Sequence, residues 1–564
     1  MNRWFVLWSQ HAWRFALGLV VVGACLLATY WVFLVPIFEQ PDEPQHFDYA
    51  LSIYSSGGLL NARDRPTLHT GESDVAHPDL QYLLGQTSFD LVHHHPAVRM
   101  PSTYGTAAYF NTLDAGAPPL AKQSVAPVNP ALLTLYPFGY YALLAGWVAI
   151  VSHLTPSLTA VFFAARLLSV ALLCCSLLLT FAIARQLGIG RWQSILLTAL
   201  VGFLPLTTFV SSSIQPDNLS LALVSLCILM TLRARRVMSL WTLTLLGAGL
   251  GLLLVTKVQF FLCLLPVLVL TLGPPLLRTR RRRLSLASWL VVLVLPSIVL
   301  GAISLWVVWG SSPQVYATAA AGYPNTEGLR TAIAHGVGGV LRYALVTAAT
   351  AATDFYIGGA TFSSFWGEFG WVDTPLVIAS PAVNLLVDAI LLLGTIGALG
   401  LMLIRTLRLV IRLRATAQRL RLPVVCRLIT RDPFLSTYLV FTSFMFLLYL
   451  LTAGTFWPQG RNWIPFLLPT LMIATRYAPE ALKRAKRVTS GLVLTGLATY
   501  CLLGSIYAVR SIESRFYGAT DNVRSTASGR SVNLSSTGDQ LPARGRQAFT
   551  VQSVPAMHVR LTSG

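Results

Sequence analysis

Between Arg14 and Tyr49 the chain reads RFALGLVVVGACLLATYWVFLVPIFEQPDEPQHFDY. The apolar part, near 14–37, has roughly the length of a bilayer-spanning helix. Asp42, Glu43, His46 and Asp48 follow directly, where such a helix would leave the membrane. Acid pairs are poor anchors there and costly to bury, so a chain that keeps them at this point uses them. The segment is too long for a signal-peptide core and ends in acids rather than small residues, so it reads as a retained helix.

Composition extends this reading to the whole chain. Of 564 residues 54% are hydrophobic and 11% charged, and the mean hydropathy is +0.63, which marks a polytopic membrane protein. The net charge of +20 does not describe a nucleic-acid surface, because the basic residues sit in short runs between apolar segments. Arg233, Arg235 and Arg236 form one run, and Arg278 with Arg280–Arg283 another. Eight arginines lie between Arg405 and Arg431, and Lys483, Arg484, Lys486 and Arg487 close the series. Loops retained in the cytoplasm have this pattern. The long polar loop has no cysteine, so no external disulfide framework is implied.

Further apolar stretches lie near 157–184, 192–214, 217–232, 238–256, 258–276, 285–309, 380–404, 434–454, 462–476 and 488–508. With Arg3 and Arg14 inside, about eleven crossings put every basic cluster on the cytoplasmic side. Counting Leu132–Val151 as a crossing would reverse that, so this segment is expected to be interfacial or re-entrant. The fold class is therefore an all-α polytopic membrane protein. Two large external loops are predicted, 38–156 and 310–378, and a polar external tail over 511–564. The first loop carries ten acids, from Glu39 to Asp114, against four basic residues and is too long to be a mere connector.

This topology collects Asp42, Glu43, Asp217, Lys257, Glu368, Asp373 and Arg461 at or beyond the outer boundary. Asp42 or Glu43 suits a general base, and equally an acid at a helix start after Pro41. His46 lies one turn from Asp42, placed to orient it, to share a cation with it, or simply to be satisfied at the interface. His93–His95 lack fixed metal-ligand spacing. Asp217, after Pro216, reads either as an N-cap or as a second acid facing the site. Lys257 is either a snorkelling side chain or a phosphate ligand. Arg461 breaks the positive-inside pattern, and its planar fork matches phosphate.

Taken together, these pieces resemble the C-type (GT-C) glycosyltransferases. More closely, Pro41-Asp42-Glu43-Pro44-Gln45-His46-Phe47, Gln215-Pro216-Asp217, Thr256-Lys257, Phe365-Trp366-Gly367-Glu368-Phe369-Gly370-Trp371-Val372-Asp373 and Gln459-Gly460-Arg461-Asn462-Trp463-Ile464-Pro465 are similar, in order, to a bacterial family of predicted membrane proteins of unassigned function. That family typically has PDEPxHF early and QGRYFxPxLP late. This chain departs at Asn462-Trp463, where the pattern has Tyr-Phe, and at Gln45, where a small residue is usual.

The resemblance implies a GT-C-like transmembrane domain over 1–510 in a bacterial cytoplasmic membrane, with its active side facing outward. It implies an inverting glycosyltransferase that moves a sugar from a polyprenyl-phosphate donor to a glycan, lipid or protein acceptor. Asp42 or Glu43 would be the base; His46, Asp217, Glu368 and Asp373 would support it or bind acceptor. Lys257 and Arg461 would hold the donor phosphate, and Trp366, Trp371, Trp457 and Trp463 would line the site. Some relatives use a divalent cation, Mg or Mn, but no firm ligand set is legible here. Two other classes compete: a flippase of lipid-linked glycans, which would want an internal repeat and a mid-membrane polar path, and a non-enzymatic glycan-binding assembly protein.

Overall fold

The computed structural model describes residues 3–59, 78–87, 89–92, 98–116, 137–278, 283–309, 331–332, 334–343, 345–346, 368–369, 374–375 and 487–517. The first helix, α1 (Arg3–Leu34), shows why these residues make a membrane element. Ala24, Ala28, Trp31 and Val32 are buried on one face, while Phe15, Leu19, Val22, Leu26, Tyr30 and Phe33 form an exposed stripe on the other. Both faces are apolar, as expected of a helix packed between protein and lipid. The helix ends before Pro36, which has no N–H to continue the ladder.

After α1 come α2 (Glu43–Ser56), α3 (Pro78–Gln86), α4 (Phe89–Val92) and α5 (Ala107–Gly116), all within the first long loop. The expected interfacial segment, Leu132–Val151, contains most of α6 (Gly139–Ser152), 14 residues long, while its residues 132–136 lie outside the described residues. The bundle continues with α7 (Leu158–Gln186), α8 (Arg191–Phe203), α9 (Pro205–Val210), α10 (Pro216–Arg236), α11 (Leu240–Leu254), α12 (Val258–Arg278) and α13 (Arg283–Trp309). A last helix, α14 (Arg487–Tyr517), packs on α1 and α8.

Three segments, His11–Leu34, Leu158–Gln186 and Pro216–Arg236, are long and apolar enough to cross a membrane by length and composition. Gly139–Ser152, Leu240–Leu254 and Val291–Ser304 are shorter apolar helices. The expected spans near 380–404, 434–454 and 462–476 lie outside the described residues.

The structure refines the expectations at three points. The stretch 192–214 is not one helix: Leu204 is extended, with ψ 123°, and α8 stops before Pro205. Proline disfavours helical geometry in the residue before it and supplies no N–H itself. The carbonyl of Phe203 at this break accepts a 2.8 Å bond from Ser505 of α14. Second, the described residues are helical, as expected, apart from a two-residue antiparallel pair, β1 (Glu368–Phe369) with β2 (Thr374–Pro375). Third, helix continues past residue 511 to Tyr517, and the chain divides at Ala519/Thr520. The extra turns are anchored: Arg515 donates to the carbonyls of Val98 (2.8 Å) and Val92 (3.0 Å), and Tyr517 to that of Leu34 (2.7 Å).

Charge separates the two ends of the bundle. Helix α10 has Asp217 in its first turn and Arg233, Arg235 and Arg236 in its last, complementing the helix dipole at both ends. Its 21 residues span about 31 Å, close to the hydrocarbon thickness. Arg236 bonds to the carbonyl of Gln186, so the end of α7 joins the arginine end.

Candidate functional site

At the acidic end, α1 gives way to a corner, Val35–Asp42, that leads into α2. Phe38 (φ 69°) and Asp42 (φ 59°) are the only non-glycine residues with positive φ among the described residues. Aspartate tolerates the left-handed region better than most residues, yet it costs roughly 1–2 kcal/mol. Asp42 is the N-cap residue of α2 by position, but its side chain makes no capping bond, and Pro44 in the first turn needs none. Asp42 is half-buried, and its side chain does not cap α2.

Glu43, its neighbour, is fully buried and meets Arg166 of α7 at 2.6 Å. Arg166 Nε donates to Glu43 Oε1 (2.8 Å) and Nη2 to Oε2 (2.6 Å), a two-pronged fork. The remaining donors go to the carbonyls of Val32 (2.8 Å), Val35 (2.6 Å) and Pro36 (2.8 Å). All five guanidinium N–H groups are therefore spent. The Ile214 N–H adds a further bond to Glu43 Oε1 at 3.2 Å. Glu43, a candidate base by sequence, has both carboxylate oxygens engaged by Arg166 and so anchors the corner.

The turn after α9 closes on the same corner. Gln40 Nε2 donates to Ser212 Oγ (2.9 Å), and Gln215 Nε2 to the Pro41 carbonyl (2.5 Å). Asn218 knits the turn itself, donating to the carbonyls of Val210 and Ser213, both at 3.0 Å. Gln215 is the N-cap residue of α10, so Asp217 is not the cap but lies inside the first turn. Its Oδ1 takes Lys257 Nζ at 2.6 Å. Lys257, expected as a phosphate ligand, is thus first the counter-ion of Asp217. Its ammonium also lies 5.7 Å from the centre of the Phe260 ring.

Helix α6 supports both pairs. Its Gly139 N–H donates to the Val255 carbonyl at 2.6 Å, and a Cβ at Gly139 would sit only 2.6 Å from that oxygen. Only glycine admits so close an approach. Tyr141 bonds to His46 Nδ1 at 2.8 Å and stacks on Tyr49 with ring centroids 4.2 Å apart. His46 is therefore tied to a tyrosine, while its backbone N–H bonds to the Asp42 carbonyl. Burial holds the Tyr49 phenol well above its usual pKa, so it stays neutral in this core. Burial, and then the Glu43 carboxylate, raise that of Tyr140 as well.

The second large loop reaches this region through Phe369, which is fully buried 5.8 Å from Trp31 and 5.3 Å from Phe209 between ring centroids. Glu368 is placed by its backbone alone, in register with Pro375. Trp366, Trp371, Asp373, Trp457, Arg461 and Trp463 lie outside the described residues, as do His93–His95. Among the described residues no group of three or more His, Cys, Asp or Glu could hold a metal ion.

Sequence reasoning missed Arg166, Tyr141 and the two glutamines. Arg166 had a visible signal, a lone arginine inside an otherwise apolar span, which is a functional hypothesis by default. Gln215 lies in the Gln215-Pro216-Asp217 motif and Gln40 beside the acidic one, but nothing in a glutamine shows which carbonyl or hydroxyl it will meet.

The sequence model of one family, described as "Predicted membrane protein (DUF2142)", matches residues 25–425. No curated protein and no solved structure matches the chain.

Proposed function

The chain belongs to the DUF2142 family of predicted membrane proteins, and from that premise we propose that it is a membrane glycosyltransferase using a polyprenyl-phosphate-linked sugar. The observation that carries this reading is the corner at Asp42. A strained, half-buried residue follows a membrane helix, at the end of α10 opposite its arginines, and its neighbouring acid is engaged by Arg166. Strain held in place by surrounding bonds is common at sites that do chemistry.

In the proposed reaction Asp42 takes the proton of an acceptor hydroxyl. The acceptor oxygen forms a bond to the anomeric carbon as the bond from that carbon to the phosphate oxygen breaks. The electron pair leaves with the polyprenyl phosphate, and the configuration inverts. Arg461, with the N–H groups of Lys257 not given to Asp217, stabilises the leaving phosphate. About eleven crossings, with this end facing outward in a bacterial cytoplasmic membrane, complete the proposal.

The test is turnover in detergent. Purified protein is incubated with a panel of radiolabelled polyprenyl-phosphate sugars, and released polyprenyl phosphate is counted. One donor should be consumed, and Asp42→Asn should slow it about 100- to 10,000-fold. A protein that consumes no donor in detergent yet moves lipid-linked glycan across sealed vesicles would be a flippase, and the proposal would fall.

A further inference from the structure

We propose that Arg166 is a positioning residue whose fork holds Asp42 in its left-handed conformation and presents it to substrate. This rests on the reading of Asp42 as the base. The argument starts at Pro36. Because proline has no N–H, the Val32 carbonyl four residues earlier loses its ordinary helical donor. Arg166 replaces that donor, also binds the buried carbonyls of Val35 and Pro36, and with its other edge grips Glu43.

One planar group therefore joins the last turn of α1 to the first residue of α2. The segment between them contains both strained residues, Phe38 and Asp42. The Gln40–Ser212 and Gln215–Pro41 bonds fix the same segment from the opposite side. Arg166 is the ninth residue of α7, about 12 Å from its start. The guanidinium is wholly buried, with no donor left for a ligand. Buried ion pairs are seldom retained for stability, since apolar pairs of similar volume often serve as well. A pair that fixes five directions at once is retained for geometry.

The experiment compares Arg166→Lys, Arg166→Met and the double variant E43M/R166M with wild type, by three measurements. These are thermal unfolding in detergent, donor turnover with kcat and KM separated, and hydrogen exchange of the peptide covering residues 35–47. Lysine keeps the charge but cannot make the fork. Arg166→Lys should lower kcat at least tenfold with donor KM within about threefold, and speed exchange in that peptide at least tenfold. The double variant should recover most of the thermal stability that Arg166→Met alone loses while kcat stays low. Recovery of both would make the pair merely structural and overturn the proposal. Unchanged exchange over 35–47 in Arg166→Lys would overturn it too. Exchange needs no substrate. If wild type consumes no donor the glycosyltransfer reading fails, and if Asp42→Asn keeps full turnover Asp42 is not the base. In both cases the exchange result still decides the lock.

Discussion

The Glu43–Arg166 and Asp217–Lys257 pairs are both closed at 2.6 Å, and they are built in opposite ways. In the first, both side chains are wholly buried, the contact is a fork, and the arginine spends every donor on the protein. In the second, a single ammonium touches a single carboxylate oxygen, and the lysine side chain keeps 9% of its surface. Arginine suits rigid multi-point recognition, and lysine acts as a mobile point charge. A saturated pair can only hold shape, whereas the lysine of the second has N–H groups beyond the one given to Asp217. The Ser211–Gln215 turn bonds Glu43 through the Ile214 N–H and leads directly into Asp217, so this end of the bundle combines a fixed corner with a more adaptable charge.

The sharpest way to break this contrast is Arg166→Met. It strands Glu43 without its counter-ion in a fully buried position and takes a donor from three carbonyls at the end of α1, of which Pro36 keeps the Glu39 N–H. Breaking a buried pair from one side typically costs about 3–5 kcal/mol. Thermal unfolding in detergent should show that loss, or the protein should fail to accumulate. A variant as stable as wild type would mean that the corner does not depend on the arginine.

That largest effect belongs to the residue which sequence reasoning did not single out. The acidic motif, the end of the first span and the shared location of Asp217 and Lys257 were all legible, because apolar length and arginine clusters fix which loops lie together. Arg166 was absorbed into the apolar run 157–184, where averaging over a span conceals one charge. The break at Pro205 was concealed in the same way, although the proline itself was in plain view. The different fates of Asp42 and Glu43 were only half legible. Helical spacing separates their directions by about 100°, but which of the two meets an arginine 123 positions away is decided by packing.

A middle-sized effect is expected at the second pair. Lys257→Met leaves Asp217 nearly buried, but this acid sits in the first turn of α10, where the helix dipole and free N–H groups favour negative charge. The loss should therefore be about 1–3 kcal/mol, the usual cost of one lost partner, and smaller than that of Arg166→Met. In a turnover assay the variant should also raise donor KM more than it lowers kcat, whereas Arg166→Lys should do the reverse. Equal stability losses at the two pairs, with equal kinetic signatures, would erase the distinction between fixed corner and adaptable charge.

The smallest effect is expected at Pro36, and it separates two causes of the corner. If the arginine fixes the corner, Pro36→Ala changes little. The new N–H can offer the Val32 carbonyl a helical partner, but that oxygen already has Arg166, and a carbonyl accepts two bonds. What remains is the greater freedom of the unfolded chain without the proline ring, a loss of about 0.4–1 kcal/mol. If instead the proline is the cause, Pro36→Ala lets α1 run on by another turn and drags Phe38 and Asp42 out of their left-handed conformations. Hydrogen exchange over residues 35–47 distinguishes these outcomes. With the arginine in control, the pattern stays that of wild type apart from the added amide at position 36. Protection that spreads through residues 37–40, with turnover falling as far as it does in Arg166→Lys, would shift the origin of the corner from the fork to the proline.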